Sequence, residues 1–311
     1  MSEPVFDRIT IVGAGLLGSS IAQAAEGYDV VLYDADDTVR VRAKDLALGK
    51  VFDTLGEAVS GADCVILCTP VGTFEDISRE IAPHLKPGAI LTDVGSVKGE
   101  AAKAMAAHCP EGVHLIPGHP IAGTEKSGPD AGFSTLFEGR WHILTPMRGF
   151  GGTEAERAAL ETLKSFWEQL GAQVEIMDPT RHDRVLAITS HLPHLIAYNI
   201  VSTAYDMESV DEGEVVKYSA GGFRDFTRIA ASDPTMWRDV FLANKDAVLE
   251  TLGRFSEDLA ALQRAIRWGD GDTLFKEFTR AKGIRQAIID AGQESDEVNF
   301  GRNAGSEDEQ P

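Results

Sequence analysis

The stretch Arg8-Ile9-Thr10-Ile11-Val12-Gly13-Ala14-Gly15-Leu16-Leu17-Gly18 sets a β-branched run, a glycine turn and the opening of a helix end to end, with no spare residue between them. β-Branched residues favour an extended strand. The three glycines then answer three separate needs. Gly13 permits the tight turn, Gly15 lets a pyrophosphate approach the backbone, and Gly18 lets the helix pack closely on the sheet. The helix opens at Leu16, carries Ile21 and Ala22 inward, and turns its N-terminal N–H groups toward phosphate charge. A second strand, Tyr28 to Tyr33, ends at Asp34, roughly 20 positions beyond the turn, where a dinucleotide fold places an acidic residue. A glycine pattern alone is weak evidence. Here it has both contexts it requires.

Asp34 can accept hydrogen bonds from a ribose diol and would repel a 2′-phosphate, so NAD is expected in preference to NADP. Arg40 and Arg42 keep NADP open as an alternative, against the plainer reading of surface arginines. Cofactor contacts are expected from Gly13, Gly15, Leu16, Leu17 and Gly18, from Asp34, and from Thr69 and Pro70.

Outward from this unit the alternation of strand and helix continues. Ala62 to Thr69 is an apolar run of the buried parallel type, and Pro70 to Thr73 turns into a helix through Ile77 and Ile81. Ala89 to Asp93 is a further strand, and Gly95-Ser96-Val97-Lys98 opens the next helix. Val113 to Ile116 delivers the chain to Gly118-His119-Pro120. In an open α/β sheet the carboxyl ends of the strands form the ligand edge, so Gly15, Pro70, Ser96 and His119 should converge there. Trp141 to Thr145 reads as a strand, followed by a loop through Gly149-Phe150-Gly151-Gly152. Thr153 begins an amphipathic helix with Leu160, Leu163, Phe166, Trp167 and Leu170 on one face, and Ala172 to Met177 returns as a strand.

The fold class that follows is α/β, a Rossmann-type doubly wound, mainly parallel sheet followed by an all-α domain. The expected boundaries are 1–178 for the nucleotide-binding domain and 179–292 for the helical one. Asp178-Pro179 marks the change, as a cap residue and a helix-starting proline. From Pro179 to Tyr205 the helix is apolar nearly all round (Val185, Leu186, Ile188, Leu192, Leu195, Ile196, Ile200, Val201), the pattern of a buried helix. A half of this size covers such a helix best with a second copy, so a homodimer is expected. Residues 293–311 are acidic and nearly without apolar anchors, the composition of a disordered tail.

At 43% hydrophobic and 25% charged residues the composition is that of a globular protein, and no apolar run suggests a membrane span. The N-terminal residues have neither the basic region nor the apolar core of a signal peptide, which makes the cytoplasm the expected location. A net charge of -20 argues against nucleic acid and an anionic membrane surface. It leaves room for a small anionic substrate, provided positive charge is gathered locally. Three cysteines imply no disulfide framework, and Cys64 and Cys68 lie in the buried strand.

Ile116 to Gly128 is the stretch in which chemistry is expected. With its glycines and prolines it reads as an ordered loop around the lone His119, with Glu125 and Lys126 a few residues on. In the helical half two features could reach it. Ser190-His191-Leu192-Pro193-His194 sets two histidines three apart on one side of a helix. The usual zinc-binding helix spaces them by four with a glutamate beside the first, so no metal is expected and one histidine should meet a polar ligand. Ser219 to Ile229 carries Arg224 and Arg228 a turn apart. Either could give a carboxylate the planar two-point grip it needs.

In this order, Gly13-x-Gly15-x-x-Gly18, Asp34, Asp93-x-Gly95-Ser96-x-Lys98, Gly118-His119-Pro120-x-x-Gly123-Thr124-Glu125, Ser190-His191-Leu192-Pro193-His194 and Gly222-Phe223-x-Asp225-x-Thr227-Arg228 closely resemble the prephenate/arogenate (cyclohexadienyl) dehydrogenases of tyrosine biosynthesis. The resemblance covers roughly residues 8 to 291. It implies a dinucleotide-binding domain followed by a helical dimerisation domain, and NAD-dependent oxidation of a ring alcohol with loss of the ring carboxylate as carbon dioxide. By position it implies that His119 takes the proton of the ring hydroxyl and that Ser96 helps to orient it. Arg228 corresponds to the arginine that binds a substrate carboxylate, His194 to a histidine at the substrate side-chain end, and Glu125 and Trp237 to a pair at the mouth of the site. His191 against His194, Arg224 against Arg228, and prephenate against arogenate stay open, as does feedback inhibition by tyrosine. The rivals are a β-hydroxyacid dehydrogenase on the same plan, which has no evident use for Gly118-His119-Pro120, and a non-catalytic NAD-sensing protein, which has no reason to hold His119, His194 and Arg228 together.

Overall fold

The structure is a computed structural model and describes residues 3–147, 152–208 and 221–290. The expected loop at Gly149-Phe150-Gly151, the residues Ser219 and Ala220, and the tail 293–311 lie outside the described residues.

Nine strands form two sheets among the described residues. The strands β1 (Arg8–Val12), β2 (Asp29–Tyr33), β3 (Lys50–Val51), β4 (Cys64–Leu67), β5 (Ile90–Asp93) and β6 (His114–Leu115) make an all-parallel sheet in the order β3-β2-β1-β4-β5-β6. That order reverses between β1 and β4, which opens a crevice at the carboxyl ends of the strands. Helices α1 (Leu16–Ala24), α2 (Asp37–Asp45), α3 (Leu55–Val59), α4 (Phe74–Ile81) and α5 (Gly99–Ala106) make the connections. All four residues of β4 are buried, as are those of β5, because both faces of a parallel sheet are covered. One cluster joins Ile9, Ile11, Ile21 and Ile66 to Trp167 and Phe166. A second joins Val12, Val65 and Leu67 to Phe74, Ile81 and Met105.

The second sheet, β7 (Gly118–Pro120), β8 (Trp141–Leu144) and β9 (Gln173–Ile176), corrects the reading of residues 116–128 as loop throughout. Gly118, His119 and Pro120 pair antiparallel with Leu144, Ile143 and His142. A three-residue strand has no period to read, and Pro120, which cannot donate, is tolerated at its end. His119 is therefore held by a ladder, a stiffer mount than a turn. Helix α6 (Glu154–Gln169) precedes β9. Its Thr153 forms a capping box with Glu156, and Leu160, Leu163, Phe166 and Trp167 are buried.

Asp178 accepts hydrogen bonds from the N–H groups of Thr180 and Arg181, and Pro179 occupies the first turn of α7 (Pro179–Leu186). A π-helical turn at Ala187–His191 leads into α8 (Leu192–Glu208). This run was expected to be covered by a second copy, and in the single chain Val185, Ile188, Ile200 and Val201 are exposed. It is also long and apolar enough, by length and composition, to cross a membrane, which corrects the expectation that no such stretch exists. Its inner face holds polar groups as well as apolar ones. His182, Asp183 and His191 are buried there beside Leu186, Leu192 and Ala197, and are hydrogen-bonded to other parts of the protein. Helices Gly221–Thr227, Pro234–Ala243, Lys245–Trp268 and Gly271–Asp290 follow. Residues up to Thr251 belong to one compact unit, which includes both sheets and the helices from Pro179 to Ala243, and those from Leu252 belong to a second. The second unit's described part is helical, with Leu259, Ile266, Phe275 and Phe278 exposed.

Candidate active site

The glycine turn has the geometry its sequence demands. Gly13 has φ +101°, and a Cβ there would lie 2.7 Å from the Cys68 carbonyl oxygen. A Cβ on Gly18 would come within 1.9 Å of the Gly13 carbonyl oxygen. A Cβ on Gly15, in contrast, would meet nothing within 4 Å. Gly13 and Gly18 are glycine because of the protein itself, while Gly15 borders open space at the N-terminus of α1, which has no side-chain cap. Uncapped N–H groups beside that space are the donors a pyrophosphate requires. Leu16 and Leu17 are half-buried in the first turn.

Asp34, past the end of β2, accepts from the N–H of Ala14 at 2.8 Å and from the N–H of Asp36 at 3.0 Å, which sets its carboxylate beside the glycine turn. The two arginines that kept NADP open have other work. Arg40 donates to the Asp34 carbonyl oxygen at 2.6 Å and pairs with Asp37, and Arg42 pairs with Asp130. Thr69 is half-buried and Pro70 exposed in the turn after β4, with the hydroxyls of Thr69 and Thr73 2.8 Å apart.

The next turn along the same edge is anchored by an ion pair that sequence reasoning did not find. Lys98 and Asp93 are fully buried and in contact, and the Lys98 ammonium also donates to the Gly118 carbonyl oxygen. Asp93 accepts from the Gly95 N–H at 2.8 Å and the Gly118 N–H at 3.2 Å. Burial pushes the Asp93 carboxyl up and the Lys98 ammonium down. The pair clamps the strand that bears His119 to the end of β5. The Asp-x-Gly-Ser-x-Lys spacing was the available signal. Ser96 is half-buried between these anchors, where its backbone faces the His191 ring.

His119 is 7% exposed. Its Nδ1 lies 2.8 Å from Nε2 of His182, whose Nδ1 lies 2.8 Å from Oδ1 of Asp183. Burial, then the neighbouring His182 and Lys98, hold His119 well below the usual histidine range, so it is neutral near pH 7. Burial also works to raise Asp183, but hydrogen bonds from His182 and from the N–H groups of Lys98 and Gly99 hold the carboxyl below the ordinary range. His182 and Asp183 were not among the expected site residues. Their signal was an adjacent His-Asp pair on the polar face of an otherwise apolar helix.

His191 and His194 have different surroundings. His191 is fully buried, with Nδ1 3.0 Å from the amide of Asn244, and burial pushes it down to about 4. His194 is half-buried, donates from Nδ1 to the Ser190 carbonyl oxygen at 2.8 Å, and stacks on Trp237 at 3.7 Å between ring centroids. Its Nε2 is thereby left for another partner. Trp237 is buried, and its indole N–H has no hydrogen-bond partner among the described residues. Such a donor is costly to leave unmade. Arg228, in the short turn Arg228–Ala231, donates to Glu125 at 2.9 Å, and both it and Arg224 are exposed.

An uncapped, glycine-opened helix with a carboxylate beside it at the carboxyl ends of the six-stranded sheet, and a neutral buried histidine on a strand clamped to the end of β5, define a dinucleotide-dependent dehydrogenase site. Residues 17–176 match the family model for the prephenate dehydrogenase nucleotide-binding domain and residues 178–280 that for the prephenate dehydrogenase dimerization domain. A cyclohexadienyl dehydrogenase of Zymomonas mobilis is 41% identical over 289 residues, covering 91% of this chain and 97% of the relative. The crystal structure of prephenate dehydrogenase from A. aeolicus in complex with hydroxyphenyl propionate and NAD+ is similar at 34% identity and a TM-score of 0.81, covering 91% of this chain and 98% of that one. An arogenate dehydrogenase structure from Synechocystis is similar at 27% identity and a TM-score of 0.73, covering 90% and 99%. The chain belongs to the prephenate dehydrogenase family. It is an NAD-dependent oxidoreductase of that family, with a Rossmann-type sheet followed by helices.

Proposed function

We propose that this enzyme oxidises prephenate, arogenate or both, with loss of carbon dioxide, and that His119 is its base. The observation that carries the reading is His119 itself, neutral, buried and fixed on β7 beside the edge that holds the glycine turn. When bound, NAD supplies the hydride acceptor for the ring carbinol carbon. Gly15 and the first turn of α1 would hold its pyrophosphate and Asp34 its ribose. His119 takes the hydroxyl proton as the carbinol C–H bond breaks. The carbon–carbon bond to the ring carboxylate then breaks, its electron pair enters the ring as carbon dioxide leaves, and the proton returns to the phenolate oxygen. Aromatisation provides driving force, so positioning is the protein's main contribution.

Ser96, half-buried in the turn after β5, would orient the hydroxyl. Arg228 supplies the carboxylate grip in an otherwise acidic protein, and Glu125 holds it between turnovers. The stacked His194 and Trp237 present an Nε2 and an unpaired N–H to the substrate side chain. The two domains of this reading are residues 1–178 and 179–292, working as a homodimer. The apolar side chains left outward on α7 and α8 support a partner surface. Dependence on the intracellular NAD pool and three free cysteines fit the cytoplasm.

The test is NADH or NADPH formation from prephenate and from arogenate, each offered with NAD and with NADP. Turnover with NAD and either substrate is expected. Tight NAD binding without turnover of either would overturn the reading.

A further inference from the structure

We propose that His182, anchored by Asp183, is a positioning residue that fixes the His119 ring in the tautomer whose Nε2 can accept the substrate proton. This rests on the assignment of His119 as base.

The proton positions follow from donor and acceptor bookkeeping along a chain of three side chains. Asp183 receives the N–H of Lys98 on Oδ1 and the N–H of Gly99 on Oδ2, each at 2.8 Å, so both oxygens act as acceptors. An ionised carboxylate has no proton to give, and the bond between Oδ1 and His182 Nδ1 must be donated by the histidine. Neutral His182 then carries its proton on Nδ1 and a lone pair on Nε2. That lone pair lies 2.8 Å from Nδ1 of His119, which must donate in turn. His119, also neutral, is left with its lone pair on Nε2. The opposite arrangement requires a cationic His182 donating from Nε2, which would put the His119 proton on Nε2 and disable the base. Burial opposes that cation.

The chain is built into the fold from several sides. Asp183 sits over the N-terminal N–H groups of α5, which favours its negative charge. Asn244 donates to the Asp183 carbonyl oxygen at 2.8 Å, tying the same residue to the C-cap of helix Pro234–Ala243. The two imidazoles meet with ring centroids 5.1 Å apart and planes at 67°. When His119 accepts a proton, its Nδ1–H strengthens toward a lone pair backed by a carboxylate. Asp183 itself stays ionised throughout. The other titratable groups facing His119 are Lys98 on the β5 turn, His142 on β8 and His191 in the π-helical turn, and each disfavours the cation. A charged His182 would disfavour it too; neutral and backed by Asp183, His182 instead accepts the Nδ1–H of the His119 cation.

The experiment is nitrogen-15 NMR of the imidazoles in the full-length enzyme at neutral pH, with His119 assigned by loss of its signals in His119→Asn, alongside kinetics of His182→Phe and His182→Gln. In the wild type His119 should be the Nδ1–H tautomer. His182→Phe should lower kcat roughly ten- to hundredfold, with KM and NAD affinity little changed. It should also move the acid limb of kcat to lower pH, because the protonated base loses its support. His182→Gln, whose carbonyl oxygen can accept in place of Nε2, should recover most of kcat. A wild-type His119 protonated on Nε2 would overturn the proposal even if His182→Phe failed to fold. So would a kcat within about twofold of wild type in a folded His182→Phe enzyme that keeps its NAD affinity. If His119→Asn also retained turnover, the base assignment itself would fall. If only His119→Asn lost it, the base would stand and the role of His182 would not.

Discussion

Arg228 reaches from the short turn before helix Pro234–Ala243 to Glu125, 103 positions earlier, and donates to its carboxylate at 2.9 Å. Both side chains keep contact with solvent, at 42% and 19% exposure, so the pair adds little to stability. Its value is in ligand binding. A substrate carboxylate can replace Glu125 on the same guanidinium. Arg228→Ala is therefore expected to raise KM for the acidic substrate about ten- to hundredfold while changing kcat much less. Steady-state kinetics decide it, and an unchanged KM would move the grip to Arg224.

The base makes a different prediction. His119→Asn keeps a polar group on β7 but has no imidazole to take a proton. Turnover should fall by roughly two to four orders of magnitude, with NAD affinity unchanged in a fluorescence titration.

What the sequence reveals depends on how local the cause is. The turn from Gly13 to Gly18 was legible because strand, glycines and helix are neighbours in sequence, and Gly13 and Gly18 are glycine for steric reasons, a positive φ at the one and the Gly13 carbonyl against the other. The strand at Gly118–Pro120 was not, since its partner β8 lies some twenty residues later and three residues carry no period. Asp183 and Lys98 were invisible as partners for the same reason. Their contacts cross about 85 positions, and nothing in a helix period says which buried side a polar residue will answer. What distinguishes His191 from His194 is likewise a matter of tertiary structure. Only there does Asn244 occupy one ring and Trp237 stack on the other.

The glycine turn gives a paired test of fold against ligand. Gly18→Ala forces a Cβ to within 1.9 Å of the Gly13 carbonyl oxygen and should destabilise the protein by about 1–3 kcal/mol. Gly15→Ala meets nothing in the protein and should cost less than about 1 kcal/mol, yet weaken NAD binding severalfold. Thermal unfolding and NAD titration on the two variants separate the effects. Equal loss of stability would show that Gly15 serves the fold.

Asp34 should set the cofactor choice. Its carboxylate stands beside the glycine turn, and both nearby arginines are engaged by acidic or carbonyl groups. Asp34→Ser removes the charge that repels a 2′-phosphate. The ratio of kcat/KM for NAD to that for NADP is expected to fall at least tenfold. A ratio that does not move would place the discrimination elsewhere.

Acid should weaken the fold through its buried histidines. His119, His182 and His191 are all held below the ordinary value of 6.5, with burial the largest cause in each. In the unfolded chain they bind protons near 6.5, and in the folded protein only at lower pH. Between those limits the unfolded state carries more protons, so stability rises with pH. The stabilisation is complete above about pH 6.5 and is lost as pH falls toward the folded value, about 4 for His191. His191 alone accounts for on the order of 3 kcal/mol across that window. Denaturant unfolding at pH 7.5 and pH 4.5 should show a large loss in the wild type and a smaller one in His191→Gln, which cannot be protonated. An equal loss in both would remove His191 from the account and leave the acid sensitivity to the other buried groups.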